Sequence, residues 1–262
     1  MHILITTDLE GISGVDSVEV RNEESKYYQT AREYLMEDTN AAIAGAFAGG
    51  ADKVTVIDGH NTGLNFIENK LDKRAIQLPP KSLNTTNVDD YDFDAVFAVG
   101  AHAMVGTPHA FLDHTQDSKN WFDYRINGIS HGELGQQAAC FGMKDIPLVM
   151  VSGDRYACDE AERLIPKIIT ACVKKGEKRF VTQSLPLDQA HKIIFDAAKE
   201  AAEKYREIKP YKIKLPATVE VTFVMNDITD TVHDMLPHLE RNGRTLSKKI
   251  DKVTNYLDLA TL

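Results

Sequence analysis

The sequence contains few cysteines, and they follow no recognisable pattern. The chain has an odd number of cysteines, three, and they lie far apart in the sequence: Cys140, Cys158 and Cys172. Disulfide-stapled domains and zinc knuckles instead carry regularly paired cysteines. A free cysteine is most often a small buried apolar residue. The cysteine content therefore argues against a disulfide framework and predicts a protein of the reducing cytoplasm.

Long apolar runs and an excess of basic residues are also absent. No run approaches the roughly 18–20 residues of a membrane span, and the strand pattern that starts at His2 is unlike a secretion signal. Lysine and arginine number 30 against 39 aspartates and glutamates, for a net charge of −9. Nucleic-acid phosphates require a basic surface. We therefore expect no nucleic-acid partner, no membrane partner and no signal peptide.

The chain has instead short apolar runs that alternate with helical patterns. Its 262 residues suffice for one large domain or two small ones with a sizeable core. Near-continuous apolar strands separated by helices are typical of a buried, mostly parallel sheet. The predicted fold class is therefore α/β, with a mostly parallel central sheet flanked by helices. The predicted strands are 2–7, 53–57, 95–99 and 147–151, and the predicted helices are 24–49, 132–142 and 155–171.

The alternation of short apolar strands with helical segments ends near residue 185. A helix is predicted over 187–205, a half-buried strand over 217–225, and two short helices near 229–237 and 248–260. We interpret residues 1–184 as the main α/β domain. Residues 185–262 are interpreted as a smaller C-terminal α+β portion that packs on it and is a candidate for oligomer contacts. Residues 101–130 show no clear period and are predicted as a long functional loop.

Two carboxylates follow the first strand at once. Asp8 and Glu10 stand in Thr6-Thr7-Asp8-Leu9-Glu10-Gly11, and their spacing of two places both on one face of an extended segment. Ligands of open α/β sheets bind at the carboxyl ends of the strands. Neighbouring carboxylates repel each other unless a positive charge lies between them. The motif therefore predicts a bound cation.

The next strands also end in side chains that bind metals. His60 follows the second strand in Asp58-Gly59-His60, His102 follows the third in Gly100-Ala101-His102, and Glu133 lies at a helix start. Three carboxylates and two imidazoles suit zinc, cobalt or manganese. Five such ligands fit a two-metal site, in which one carboxylate bridges ions about 3.5–4 Å apart. Such a pair lowers the pKa of bound water and polarises a carbonyl, as an aminopeptidase or amidase requires. The candidate metal ligands are Asp8, Glu10, His60, His102 and Glu133.

Other residues leave alternatives open. His131 lies two residues before Glu133 and is an alternative or additional ligand. His114, in the predicted loop, is the best acid–base candidate because histidine titrates near neutrality. The position of His114 fits a solvent-exposed loop histidine without a catalytic role equally well. Asp154 is interpreted as the cap of helix 155–171. The glycines near Ile12 lack the spacing of a dinucleotide-binding loop.

Taken in order, these motifs resemble the zinc-dependent D-aminopeptidase family. The signature of that family, Ser-x-Asp-x-Glu-Gly, stands here with Thr6 in place of the serine. The match is strongest over residues 1–175. It continues through Asp58-Gly59-His60, Gly100-Ala101-His102-Ala103, the His114 loop, Gly132-Glu133-Leu134-Gly135 and Val151-Ser152-Gly153-Asp154.

The resemblance implies two zinc ions per subunit, bound by the five candidate ligands with Asp8 bridging. It also implies a catalytic role for His114 and a homo-oligomer, a decameric ring that encloses the active sites. A metal-bound hydroxide is the better nucleophile, so we assign His114 to proton transfer or to stabilising the tetrahedral intermediate.

The leading hypothesis is a binuclear zinc aminopeptidase. It would remove the N-terminal residue, D-amino acids included, from short peptides or amino acid amides with metal-activated water. The alternatives are a non-catalytic metal- or peptide-binding protein of the same fold and a related two-metal amidase. Sequence spacing does not distinguish a D-specific from an L-specific pocket.

Overall fold

The structure is a computed structural model that describes residues 1–262. It contains twelve strands and seven α-helices. The strands are β1 His2–Thr7, β2 Lys53–Asp58, β3 Ile76–Gln77, β4 Ala95–Ala101, β5 Trp121–Ile126, β6 Ile129–Ser130, β7 Leu148–Asp154, β8 Ile169–Lys178, β9 Val181–Ser184, β10 Ala217–Phe223, β11 Glu240–Asn242 and β12 Thr245–Ile250. The helices are α1 Lys26–Ala48, α2 Ser82–Thr85, α3 Glu133–Gly142, α4 Arg155–Leu164, α5 Leu187–Lys204, α6 Asn226–Met235 and α7 Leu257–Ala260.

The main sheet has seven strands in the order β3-β2-β1-β4-β7-β8-β9. All neighbours are parallel except β8 and β9. Every residue of β4 and β7 is buried, as expected for strands covered on both faces. Helices α1 and α5 pack against each other and against this sheet, and α3 and α4 form a second such pair. The predicted α/β class with a mostly parallel central sheet is confirmed.

A second, antiparallel sheet has the order β11-β12-β10-β5-β6. Strand β10 alternates strictly between buried and partly exposed residues, which indicates one face on a core and one toward solvent. That smaller core includes Tyr124 from β5 and Val219, Val221 and Leu246 from the C-terminal strands. The sheet thus joins strands from both sides of residue 184, and a domain boundary there stays a prediction.

Three local predictions were wrong. The helix expected over 155–171 ends at Leu164, because Pro166 cannot continue it and biases Ile165 toward extended geometry. Residues 169–173 then form the first half of β8. The loop expected over 101–130 contains the hairpin β5–β6, whose Asn127-Gly128 turn has positive φ at both residues. The helix expected near 248–260 is mainly β12 and a loop, with only α7 helical.

None of the helices combines the length and the apolar character that crossing a membrane requires. Cys140 and Cys158 are buried as predicted, whereas Cys172 is partly exposed.

Helices α1 and α5 approach so closely that glycine is required between them. A Cβ atom on Gly45 would lie 2.4 Å from the carbonyl oxygen of Phe195, and one on Gly49 would lie 2.4 Å from that of Lys199. The facing surface of α5 is built from small residues such as Ala198 and Ala202, both buried. This packing fixes α1, which begins soon after the segment that carries Asp8 and Glu10.

The substitution Gly45→Ala tests this packing. Alanine favours an exposed helix by about 1 kcal/mol over glycine, but overpacking against a backbone carbonyl costs about 1–3 kcal/mol. We expect a net loss in the free energy of unfolding, measured by urea denaturation. Thr30→Ala, on an exposed position of the same helix, should leave stability unchanged or raise it. A more stable Gly45→Ala variant would contradict the close contact.

Candidate metal centre

The three strand ends that carry the candidate ligands are neighbours in the main sheet. Strand β1 lies between β2 and β4, and Thr7 pairs with both Asp58 and Val99. The chain therefore leaves all three strands at the same level, and Asp8, His60 and His102 meet at one edge. Asp58 faces away from this cluster, since its carboxylate accepts hydrogen bonds from the backbone N–H groups of His60 and Asn65.

Asp8 lies between the two histidines. Its Oδ1 is 2.9 Å from Nδ1 of His60, and its Oδ2 is 3.1 Å from Nε2 of His102. Nδ1 of His60 is also 2.9 Å from Oε2 of Glu10, and Nε2 of His102 is 3.6 Å from Oε1 of Glu133. Each oxygen of Asp8 therefore faces a different imidazole. All five predicted ligands are brought together.

The cluster divides into two groups that could each hold a metal ion. Ligand atoms lie within 4.8 Å of one another in the group Asp8, Glu10 and His60, and likewise in the group His102, His114 and Glu133. A divalent cation such as zinc accepts these oxygen and nitrogen donors. Asp8, through its contact with His102, connects the two groups.

His114 stacks on His102, with ring centroids 3.8 Å apart and planes inclined by 8°. Its Nδ1 donates to the carbonyl of Leu112 at 2.8 Å, which leaves Nε2 free, 3.9 Å from Oε1 of Glu133. Nδ1 of His102 likewise lies 3.0 Å from the carbonyl of Ala103. Metal-binding histidines characteristically donate their second ring N–H to such a carbonyl. This orientation suits His102 as a ligand, and it suits His114 either as a ligand or as a base.

The pKa shifts show how strongly this cluster attracts positive charge. Burial alone would lower the pKa of His60, but the carboxylates of Glu10 and Asp8 raise it well above its usual value. Burial of His102 is likewise outweighed by Asp8 and Glu133, and its pKa is raised. Burial would raise the pKa of Asp8, but hydrogen bonds from His102 and His60 hold it well below its usual range. The raised pKa values indicate a demand for positive charge, which a divalent cation would meet.

Glu10 provides the observation that fits a cation most directly. Its side chain is buried, and its Oε2 atom has no hydrogen-bond partner. The single Nδ1 hydrogen of His60 is directed to Asp8, so it cannot also serve Glu10. A buried carboxylate oxygen without a partner is costly. The donor set of three carboxylates and at least two imidazoles therefore fits zinc.

Two glycines allow the ligand-bearing loops to touch. A Cβ atom on Gly11 would lie 2.1 Å from the carbonyl oxygen of Ala101, and one on Gly100 would lie 2.2 Å from that of Asp8. Gly100 also has φ +78°, a conformation that other residues rarely adopt. The approach of the β1 loop to the β4 loop thus depends on both positions.

Behind the cluster, buried charged side chains hold the backbone of these loops. Glu160 on α4, only 3% exposed, accepts hydrogen bonds from the backbone N–H groups of Met104 (2.9 Å) and Gly132 (3.0 Å). It therefore links the segments that carry His102 and Glu133. Lys174 on β8, 1% exposed, donates to the carbonyls of Glu10 (2.8 Å) and Val15 (2.5 Å). It supports the loop of Asp8 and Glu10.

Asp154 belongs to the same layer, and its predicted role as a helix cap was wrong. It stands at the N-cap position of α4 but makes no capping hydrogen bond. Its buried carboxylate instead accepts from the backbone N–H groups of Phe111 (3.2 Å) and Gly176 (2.9 Å). Sequence reasoning missed Glu160 and Lys174 altogether. Lys174 gave no signal, because it follows the apolar residues of β8 and is itself followed by charged residues, as at the exposed end of a strand.

The structure does not favour His131 as a ligand. Its Nδ1 lies 2.6 Å from the carbonyl oxygen of Ile129, and its Nε2 lies 2.7 Å from the hydroxyl of Tyr211, so both ring nitrogens are occupied. Burial lowers its pKa. His109 is exposed and contacts the carbonyl of Glu177, outside the cluster.

A cavity of about 270 Å³ opens beside the cluster. Asp8, His102 and Glu133 line one part of it. The remaining wall includes apolar side chains of Val99, Leu134 and Phe141. Ligand cavities are typically mostly apolar with a few polar groups that fix orientation. The cavity is therefore the natural place for a substrate to meet the cluster.

Comparison with known proteins identifies the family to which the chain belongs. A family model described as D-aminopeptidase, peptidase M55, matches residues 1–261. The chain belongs to the D-aminopeptidase family. A D-aminopeptidase of Bacillus subtilis (strain 168) is 31% identical over 212 residues, which cover 80% of this chain and 77% of that protein. The family resemblance predicted from the motifs is thus confirmed.

A solved structure shares the family fold. It is described as the Zn-dependent D-aminopeptidase DppA from Bacillus subtilis, a self-compartmentalizing protease. It superposes with a TM-score of 0.91 at 24% identity, covering 98% of this chain and 94% of the other. The two chains therefore have the same fold over nearly their whole length.

The substitution Glu160→Gln tests the buried layer. Both carboxylate oxygens of Glu160 accept a backbone N–H, and the amide would turn an NH₂ donor toward one of them. Leaving such a buried pair unsatisfied costs about 1–3 kcal/mol. We expect that loss in the free energy of unfolding, measured with a chelator present, and weaker zinc retention in dialysis.

Glu162→Gln is the matched control on the same helix, because Glu162 is exposed. It should change neither stability nor zinc retention. Equal behaviour of the two variants would contradict the role of Glu160.

Proposed function

We propose that the protein is a binuclear zinc aminopeptidase that releases the N-terminal residue, a D-amino acid, from short peptides or amino acid amides. Membership of the D-aminopeptidase family supports the reaction, and the Zn-dependent description of the solved relative supports the metal. The observation that carries the proposal is the placement of Asp8, with one oxygen toward His60 and the other toward His102.

We assign one zinc ion to Asp8, Glu10 and His60, and the second to Asp8, His102 and Glu133. The bridging role of Asp8 is supported by its two oxygens facing different groups. The partnerless Oε2 of Glu10 supports the first group. Zinc bound there would polarise the peptide carbonyl and lower the pKa of water, which hydrolysis near neutral pH requires.

His114 is assigned to proton transfer. Its hydrogen bond to the carbonyl of Leu112 fixes the ring and directs Nε2 toward the cluster. From there Nε2 takes a proton from the attacking water and passes it to the leaving amine. The ring is held by its stacking on His102, and its loop is held by the buried carboxylate of Asp154.

We further propose that the chain forms a homo-oligomer, a decameric ring. The solved relative is described as self-compartmentalizing. The C-terminal portion, residues 185–262, and the sheet that it shares with β5 and β6 are the proposed contact region. Large apolar side chains are exposed there, at Phe122, Ile129, Met225 and Met235.

The substitution His114→Ala tests the proposed reaction. Hydrolysis of D- and L-alanyl amides and dipeptides is measured with zinc-loaded protein, together with zinc content by elemental analysis. We expect wild type to cleave the D-substrates and to lose activity in chelator. His114→Ala should lower kcat by about 10²- to 10⁴-fold and leave the zinc content unchanged.

His109→Ala is the matched control, since His109 lies in the same loop outside the cluster. It should retain full activity. Loss of zinc from His114→Ala would make His114 a ligand instead of a base. A zinc-loaded wild type that cleaves none of the substrates would support the alternative of a metal-binding protein without catalysis.

A further inference from the structure

The cavity beside the cluster has an uneven distribution of charge. Its acidic residues are Asp8, Asp58 and Glu133. Among the 20 residues that line it, Lys81 is the only lysine or arginine. Asp8 and Glu133 belong to the proposed metal cluster, Asp58 bonds to backbone N–H groups, and the ammonium group of Lys81 lies elsewhere on the wall.

Lys81 has no partner of its own. Lys81 is exposed at the edge of the cavity, and its ammonium group takes part in no ion pair or hydrogen bond with another side chain. Seven of the 20 lysines form ion pairs, and among the unpaired ones Lys81 is distinguished by its position on the cavity wall. An unpaired cation beside a cavity is available to a negatively charged ligand.

The backbone holds Lys81 in an unfavourable conformation at this place. It has φ +58° and ψ 11°, just before α2, where an L-residue other than glycine or asparagine is uncommon. The neighbouring turn packs tightly, since a Cβ atom on Gly63 would lie 2.9 Å from the side chain of Pro80. Such conformations cluster at ligand sites, and eight other non-glycine residues of this chain also have positive φ.

We propose that Lys81 binds the C-terminal carboxylate of a short peptide substrate. A free dipeptide or tripeptide carries a carboxylate at its C-terminus, and Lys81 is the one lysine or arginine on the cavity wall. A compact cavity of about 270 Å³ is about 8 Å across, the span of two to three residues at about 3.3–3.6 Å each. The enzyme would thus prefer free dipeptides and tripeptides to their C-terminal amides. This inference rests on the proposed peptidase function.

The test compares one peptide in two forms with zinc-loaded protein. The substrates are D-alanyl-D-alanine and its C-terminal amide, in which the same peptide bond is cleaved. The protein variants are wild type, Lys81→Met and Lys81→Arg, all with the same backbone constraint at position 81. Lys73→Met is the control, because Lys73 is exposed, makes no ion pair and lies outside the cavity.

We expect wild type to show a lower KM for the free acid than for the amide. Lys81→Met should raise KM for the acid about 10-fold or more, the effect of losing a charge-assisted hydrogen bond. Its KM for the amide and its kcat should change less than about twofold, and Lys81→Arg should restore part of the preference. Lys73→Met should match wild type.

A binding measurement separates this inference from the proposed function. An uncleavable analogue, with a methylene group in place of the peptide carbonyl, is titrated by calorimetry as the free acid and as the amide. Weaker binding of the acid alone to Lys81→Met supports the inference even if no peptide is cleaved. Equal losses for acid and amide, or no loss for either, would overturn it, whereas absence of cleavage by wild type would overturn only the peptidase proposal.

Discussion

The contact on which the site depends is that of Asp8 with two imidazoles at the edge of a parallel sheet. Strands β1, β2 and β4 end side by side, so residues one to three positions beyond each strand converge. Asp8, Glu10 and Glu133 then place three negative charges in a partly buried space. Their repulsion would splay the loops apart unless positive charge is present. His60 and His102, whose pKa values are raised, show that demand directly.

The loops that carry the candidate ligands are also held by buried charged side chains behind the cluster. Glu160, Lys174 and Asp154 are almost wholly buried, and each bonds to backbone groups of loops beside the site. Burying such groups is expensive, and burial lowers the pKa of Lys174 to about 7. Hydrogen bonds to two backbone groups offset that cost and restrict loop movement. Ligand geometry therefore depends on the helix α4 and the strand β8, which contribute no ligand themselves.

The sequence predicted those site residues that directly follow an apolar strand along the chain. Asp8, Glu10, His60 and His102 follow apolar strands directly, and parallel strands bring their ends together. Glu133 was named as a candidate from its position at a helix start, although it follows none of the three strands and its place beside them depends on the fold. His114 was found as a loop histidine, but its stacking on His102 depends on a loop path that no periodicity encodes.

The incorrect predictions of secondary structure and the overlooked Glu160 also have physical causes. The helix expected beyond Leu164 overlooked Pro166, and with it the β8 position of Lys174. The hairpin β5–β6 was concealed in a segment read as irregular, although Asn127-Gly128 is a strong turn signal. Glu160 gave no signal, because a glutamate on a helix is usually exposed and its burial is decided by loops far away in sequence.

The bridging of two zinc ions by Asp8 is tested most directly by anomalous diffraction at the zinc absorption edge from crystals of the zinc-loaded protein. We expect two peaks per chain, about 3.5–4 Å apart, each within about 2.0–2.2 Å of a different oxygen of Asp8. One peak would adjoin Glu10 and His60, and the other would adjoin His102 and Glu133. A single peak, or two peaks that Asp8 does not bridge, would contradict it.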